Sequence, residues 1–514
     1  MDSYIKEDRG GVRVQAPICD KQTTVELSSD FSLPDYQPEI KRLLGVKATV
    51  APPNHYIGSG NAEFSGTVSY TALYTANDGE LYSVSESDEY RFTVPVEMGS
   101  DFEWNEGITA DCEILPEMTV GRVAAPRKFT IKCRLRPHVR MWGIRALGES
   151  ITGSENQSIE RLHGQSDSAR IFVGIGEPMR LGDEILCDDK AGDLRVVCAE
   201  GQVFVTEADA ASGFVTARGE VAVKLLVAED GVGSAPKAYL RRIPFVTEIP
   251  TDGVTVNCDA AANGVCTALN VTVEENRILY EAELCLRAEA QRNDSISYTR
   301  DLYSTTAACH ASYATVPLAR ALKCINGNVS VNTTLSLEEA GIRQGLLVWD
   351  LSLTPTVTDL EAENGKYVLS GRCRCMAVLS DGEELSSQEF EVPFRYECDG
   401  SAEAVTDWRA TADAVSARAR TDAERIAVDA ELSISLVTRG EQTLTMLREA
   451  NFGEVFEHAK TGYTVCYPSR EDTLWSVAKR YHRSVDAVFA MNQLSDAPRA
   501  DTPESLSGVR YLLV

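Results

Sequence analysis

The chain has 514 residues, 43% of them apolar, and a formal net charge of −27. At roughly 150 residues per domain this length leaves room for three or four domains, and the apolar content is that of folded rather than disordered protein. The acid excess repels phosphate backbones and anionic bilayers, which argues against nucleic-acid and membrane-surface binding. No run of eighteen apolar residues occurs and no basic segment with an apolar run follows Met1, so neither a transmembrane segment nor secretion is expected. The fourteen cysteines, Cys19, Cys112, Cys133, Cys285 and Cys375 among them, fall mostly in strand-like runs, which suits buried, reduced thiols in a cytosol without disulfides.

In chain order, the first distinctive segment is the strand beginning Glu26-Leu27, followed by Phe31-Ser32-Leu33-Pro34-Asp35-Tyr36-Gln37-Pro38-Glu39-Ile40 and the pair Leu43-Leu44. Pro38 suits a first helical turn, with Ile40, Leu43 and Leu44 on one short apolar face. The segment resembles the signature of the SPOCS domain, a strand followed by Pro-Asp-x-x-Pro-x-Ile and a Leu-Leu or Ile-Leu pair before the next strand.

From there to residue 450 the pattern is of strands. Alternation over 64–74 runs into the turn Asn77-Asp78-Gly79, and the design recurs over 214–227, ending in Glu229-Asp230-Gly231, and over 367–379, ending in Ser380-Asp381-Gly382. Gly66, Gly219 and Gly371 sit early in these strands, Pro95, Pro244 and Pro393 in the strands that follow, and Arg127, Arg277 and Arg425 ahead of a long alternating strand. The near-constant spacing of about 150 residues predicts three copies of one antiparallel, sandwich-like β unit over 1–150, 165–300 and 315–450. Strand glycines and prolines mark close backbone approach and sheet edges, so these landmarks are read as architecture.

After a linker at 451–461, residues 462–514 predict a β-α-α-β unit. Asp472 or Thr473 caps a helix with Leu474, Val477, Ala478 and Tyr481 on one stripe, and Ser484 caps a second with Val485, Val488 and Phe489. Asn492 ends that helix, and 509–514 form the closing strand. Tyr463-Thr464-Val465, Asp472-Thr473-Leu474-Trp475-Ser476-Val477-Ala478 and Asn492 resemble the LysM domain. That resemblance implies N-acetylglucosamine-polymer binding between the first strand-helix loop and the loop before the last strand. Here those loops carry Glu471 in place of the usual glycine and Ser507-Gly508 in place of Pro-Gly, charges and bulk better suited to a protein partner. The expected partner site is Ser469, Arg470, Glu471, Asp472, Thr473, Leu474, Trp475, Leu494, Ser507 and Gly508. Trp475, off the apolar stripe, covers the core edge or anchors the partner.

No catalytic platform emerges. The six histidines are scattered, Cys373 and Cys375 read as buried thiols, and Gly174-Ile175-Gly176 lacks the third glycine of a dinucleotide loop. Neither metal nor cofactor is expected, and a wall hydrolase using two carboxylates is the enzymatic alternative. SPOCS-like repeats followed by a LysM unit resemble the SipL-like spore-coat morphogenesis proteins of clostridia. That resemblance implies a non-enzymatic scaffold in the mother cell, at the forespore surface, whose LysM tail binds the ATPase of the coat's basement layer. The alternative is a protein of the cell wall or cortex that binds peptidoglycan or N-acetylglucosamine oligomers.

Overall fold

The computed structural model describes residues 5–58, 60–103, 107–153, 158–186, 194–229, 236–274, 277–456, 464–494 and 501–514. It is mainly β, with antiparallel sheets through residue 455 and two short helices in the tail.

One pairing scheme occurs three times. In the first set, β1 (Ile5–Gln22) and β2 (Val25–Ser32) lie in succession along β8 (Lys128–Gly153), which also pairs β7 (Thr109–Ala125). Between them run β3 (Ile40–Val50), the short β4 (Asn54–Ile57), β5 (Asn61–Ala76) and β6 (Leu81–Pro95), with β5 pairing β3, β4 and β6. In the second set, β9 (Ile159–Ile175) and β10 (Met179–Leu186) lie along β15 (Arg277–Ser304) beside β14 (Asp259–Glu274). Its meander is β11 (Leu194–Ala210), β12 (Phe214–Glu229) and β13 (Lys237–Pro250). In the third, the two leading strands are fused into β16 (Ala307–Ser336), which pairs β21 (Arg425–Val455) along its length, with β20 (Asp407–Thr421) on the other side. The meander here is β17 (Leu347–Glu363), β18 (Lys366–Ser380) and β19 (Leu385–Asp399).

Within each set the meander packs face to face on the long-strand sheet. Val203, Val215, Val223 and Leu225 of the second meander share a core with Ile278, Tyr280, Ala282 and Leu284 of β15. Tyr70 and Tyr74 meet Phe129 and Ile131 in the first set, and Leu369, Cys373 and Cys375 meet Val428, Leu432 and Ile434 in the third. Two antiparallel layers joined by alternating inward residues form a sandwich.

At all three landmark glycines a side chain would meet a close neighbour. Gly66, Gly219 and Gly371 pair directly with Tyr90, Phe245 and Phe394 on the neighbouring edge strand. A Cβ at Gly66 would meet the Tyr90 ring at 2.4–3.2 Å, and one at Gly371 would meet the Phe394 ring at 2.4 Å. A Cβ at Gly219 would meet the Phe204 carbonyl oxygen at 2.0 Å before the Phe245 ring at 3.0 Å, so there close backbone approach adds to the ring contact. The prolines stand on β6, β13 and β19, the outer strands of the meanders, where a missing N–H is harmless. Turns end the hairpins at Gly79 and Gly382, both at positive φ; Asp230-Gly231 lies outside the described residues.

Two expectations need correction. Residues 40–44 are not helical: they open strand β3, whose bulges at Ile40/Arg42 and Leu43/Gly45 shift the alternation and produce a false helical spacing. The linker expected from 451 begins later, because β21 continues to Val455. Strands of 26 to 31 residues, β8, β15 and β21, outrun their sandwiches. Their distal halves, with β1, β9 and the first half of β16, make three ribbons that converge on Val14, Leu147, Ile296, Val316, Leu318, Leu444 and Met446.

Candidate functional site

The tail assembles as β22 (Val465–Cys466), α1 (Leu474–Arg480), α2 (Val485–Met491), a single 3-10 turn over Pro503–Leu506 and β23 (Leu512–Leu513). Thr473 caps α1 in a reciprocal box with Ser476, and Ser484 caps α2. Asn492 does more than end α2. Its side-chain amide donates to Leu513 O at 2.8 Å and accepts from Leu513 N at 2.7 Å, clamping the helix to the closing strand. Regular closing strand is limited to Leu512–Leu513, and Tyr463 lies outside the described residues.

Two loops face each other across a groove of about 390 Å³ lined by Pro468, Ser469 and Arg470 on one lip and Pro503, Glu504, Ser507 and Gly508 on the other. Asp472 fixes the first lip from behind by accepting from the Ser469 amide at 2.8 Å, and that amide, with Arg480, holds its carboxyl below the usual carboxylate range. Ser505 ties the second lip to α1: its hydroxyl accepts from Leu474 N at 3.0 Å and donates to Thr502 O at 2.6 Å. Of the expected site residues, Ser469, Arg470, Ser507 and Gly508 therefore line the groove. Glu471 is exposed beside it, Asp472 and Thr473 brace it, and Leu474 and Leu494 belong to the tail's core. Residues 495–500 of the second loop lie outside the described residues.

Of the two roles expected for Trp475, covering the core edge or anchoring a partner, the structure shows the first, with the ring buried in the tail's core. It is 6% exposed, edge-on to Tyr303 at 4.9 Å between ring centroids, and its indole N–H donates to Asp301 Oδ2 at 2.9 Å. Lys479 Nζ reaches both oxygens of Asp301 at 2.6 and 2.7 Å, and the Tyr313 hydroxyl also donates to it. Burial opposes ionisation of Asp301, but these donors outweigh it and leave its pKa lowered. Tyr303 donates to Arg483 O at 2.7 Å and, with Leu162, packs into the tail's core. The second ribbon thus completes the tail. The residues responsible lie some 170 positions upstream, and no local spacing in the sequence points to them.

A second polar centre lies where the three sandwiches meet. Arg140 pairs with Asp111 at 3.1 Å, Arg409 with Glu113 at 3.2 Å, Arg287 with Glu289 at 3.1 Å, and Arg439 with Asp407 at 3.0 Å and with Glu289. Each set contributes both signs, and the buried arginines hold the Glu289 carboxyl well below its ordinary range against the cost of burial. Beside this network a cavity of about 260 Å³ is walled by β3 and β7, β11 and β14, and β17 and β20, the same seam from each set. Lys47, on its wall, pairs with Glu200 at 3.3 Å. Asp413 faces it without an ion-pair partner among the described residues; burial pushes its carboxyl up to about 7, with Glu113 adding repulsion and Arg409 and Lys47 opposing it. Among the described residues no group of three or more His, Cys, Asp or Glu could hold a metal ion.

Among the described residues no helix is long and apolar enough to cross a membrane. Compared with known proteins, the chain matches no family model, no curated protein and no solved structure.

Proposed function

We propose that the chain is a non-enzymatic scaffold of spore-coat assembly whose tail groove engages a protein, namely the ATPase of the coat's basement layer. The observation carrying this reading is the composition of the groove. It forms between the two loops that the LysM resemblance designates, but among the described residues its walls are two prolines, two serines, a glycine, Leu506, Val509, one arginine and one glutamate, without an aromatic ring on which a sugar could stack. Charged lips suit a polar protein surface and add little for a neutral glycan. Three long-stranded sandwiches knit by a shared ionic centre provide the body that holds this tail in place.

The groove's position keeps peptidoglycan or N-acetylglucosamine oligomers as the second reading, since the LysM resemblance puts the sugar between these loops. Filling the groove separates the two. Ser507→Arg in sporulating cells is expected to release the protein from the forespore surface and to abolish recovery of the ATPase with it. Unchanged localisation and recovery would refute the proposal, and loss of binding to purified peptidoglycan alone would favour the second reading.

A further inference from the structure

The three sandwiches meet in two ways. In one place the contact is dry: Leu44 and Leu81 of the first set, Val197 and Leu226 of the second, and Val378 and Leu385 of the third share one apolar cluster. Followed along β3 from Leu44 and along β11 from Val197, the same seam then turns polar. Alternation explains the change, because each strand gives one face to its own sandwich and the other to the seam. Val46, Ala48 and Val50 pack inward from β3, which turns Lys47 and Thr49 to the cavity between the sandwiches. Val203 of β11 and Ala262 of β14 pack inward and leave Gln202 and Asn263 facing it. On β20, Ala410, Ala412 and Ala414 go to the core while Arg409, Thr411 and Asp413 face the cavity.

This space, about 260 Å³, has room for roughly eight or nine waters at about 30 Å³ each. Leu115 and Thr356 stand on its wall and are exposed, so it opens to solvent there. Asn263 Oδ1 and Thr411 Oγ1 are buried without a hydrogen-bond partner among the described residues, and each costs stability unless something bonds to it.

Charge decides the guest. In the ionic centre Arg140, Arg287, Arg409 and Arg439 face Asp111, Glu113, Glu289 and Asp407, four against four. Beside it Lys47 and Lys224 face Glu200 and Asp350, two against two. Asp413 is left over; its charged neighbours Lys47, Glu113 and Arg409 are already paired. Burial pushes up the Cys112 and Cys285 thiols on the same walls, which keeps them neutral. An anion would have to displace a carboxylate from a buried pair, whereas a cation meets one that has no partner. A bare metal ion would leave most of the space unfilled, and no group of three or more His, Cys, Asp or Glu among the described residues could hold one.

We propose that this cavity is a binding site for a small, singly charged organic ammonium compound, its cation on Asp413 and its further hydrogen-bond donors on Asn263 Oδ1 and the Thr411 hydroxyl. The site belongs to the body and does not depend on the tail's partner. By bridging strands of two sandwiches, β14 and β20, the guest ties the body together.

The test uses the full-length protein in amine-free phosphate buffer at constant ionic strength, with ethanolamine hydrochloride as the probe and glycerol and potassium chloride in parallel. Calorimetric titration at pH 8 should show saturable ethanolamine binding at millimolar affinity or tighter, with a raised melting temperature. Asp413→Asn keeps the shape of the side chain and should lower the affinity at least about tenfold. Because that variant is expected to be more stable than wild type, its loss of binding does not come from unfolding. Thr411→Val should lower the affinity severalfold. Binding needs the carboxylate, so affinity should also fall by up to about tenfold from pH 8 to pH 6 as protonation competes. No ethanolamine binding by the wild type overturns the inference. Equal binding by Asp413→Asn overturns it too, marking attraction to the acidic surface only. Glycerol bound as tightly as ethanolamine would make the cavity a polyol site, and potassium bound in place of ethanolamine an ion site; either overturns the ammonium assignment.

Discussion

Replacing Asp413 by asparagine is expected to stabilise the protein, and to do so only where the carboxyl would be charged. Asp413 faces the cavity between the three sandwiches, with Glu113 adding repulsion, and its pKa rises from 3.8 to about 7 in the folded state. A raised carboxyl pKa means the folded state holds its proton more tightly than the unfolded chain. The penalty is therefore absent below pH 3.8, grows as pH rises toward 7, and is constant above. Three pKa units at about 1.4 kcal/mol each set a ceiling of about 4 kcal/mol. Water reaching the half-buried side chain through the cavity lowers it, and about 2 kcal/mol is a reasonable expectation. For a unit of this size that is a rise in melting temperature of roughly 4–8 °C. Thermal unfolding of wild type and Asp413→Asn across pH 5 to 8 measures it. The gap should be widest at pH 8 and smaller at pH 5. A gap independent of pH, or a variant less stable at pH 8, would refute the assignment of an unpaired carboxyl to this cavity.

Three further outcomes follow from the packing. Tyr303→Ala removes the ring that completes the tail's core, and with aromatic-to-alanine changes costing about 3–5 kcal/mol it should undock the tail, read as proteolytic cleavage between 456 and 464 while the body stays intact. Asp301→Asn weakens the same contact. Because the Asp301 pKa is lowered in the folded state, wild-type docking is present above the unfolded carboxylate range and is lost as pH falls through the folded value; the asparagine variant should lose that acid dependence, measured by hydrogen exchange in α1. Gly371→Ala drives a methyl group into the Phe394 ring and should cost about 1–3 kcal/mol by chemical denaturation, whereas Gly382→Ala, strained by its φ of +94° but open in space, should cost about 1 kcal/mol.

What was legible in the sequence is what local spacing encodes. Strand alternation, the turn glycines, the caps Thr473 and Ser484, and the recurrence of Gly66, Gly219 and Gly371 all follow from neighbours within a few residues or from comparison of one copy with another. The bulged start of β3 misled because a strand that skips a residue twice places Ile40, Leu43 and Leu44 at helical intervals. The groove lies between the two loops that the LysM resemblance implies, a placement that came from the resemblance rather than from residue spacing. The orientation of Trp475 was not legible: its partner Asp301 is 174 residues away, on a ribbon whose length no composition rule suggests. The ionic centre was equally hidden. Asp111, Glu289 and Arg439 are single charged residues in alternating strands, and only the meeting of three sandwiches makes them neighbours.

The central claim, that the tail serves a protein rather than a glycan, is tested most directly by calorimetric titration of the intact chain with the basement-layer ATPase and, in parallel, with N-acetylglucosamine hexamer. The account predicts saturable binding of the ATPase at micromolar affinity or tighter and no heat from the hexamer. Micromolar binding of the hexamer without binding of the ATPase would contradict it.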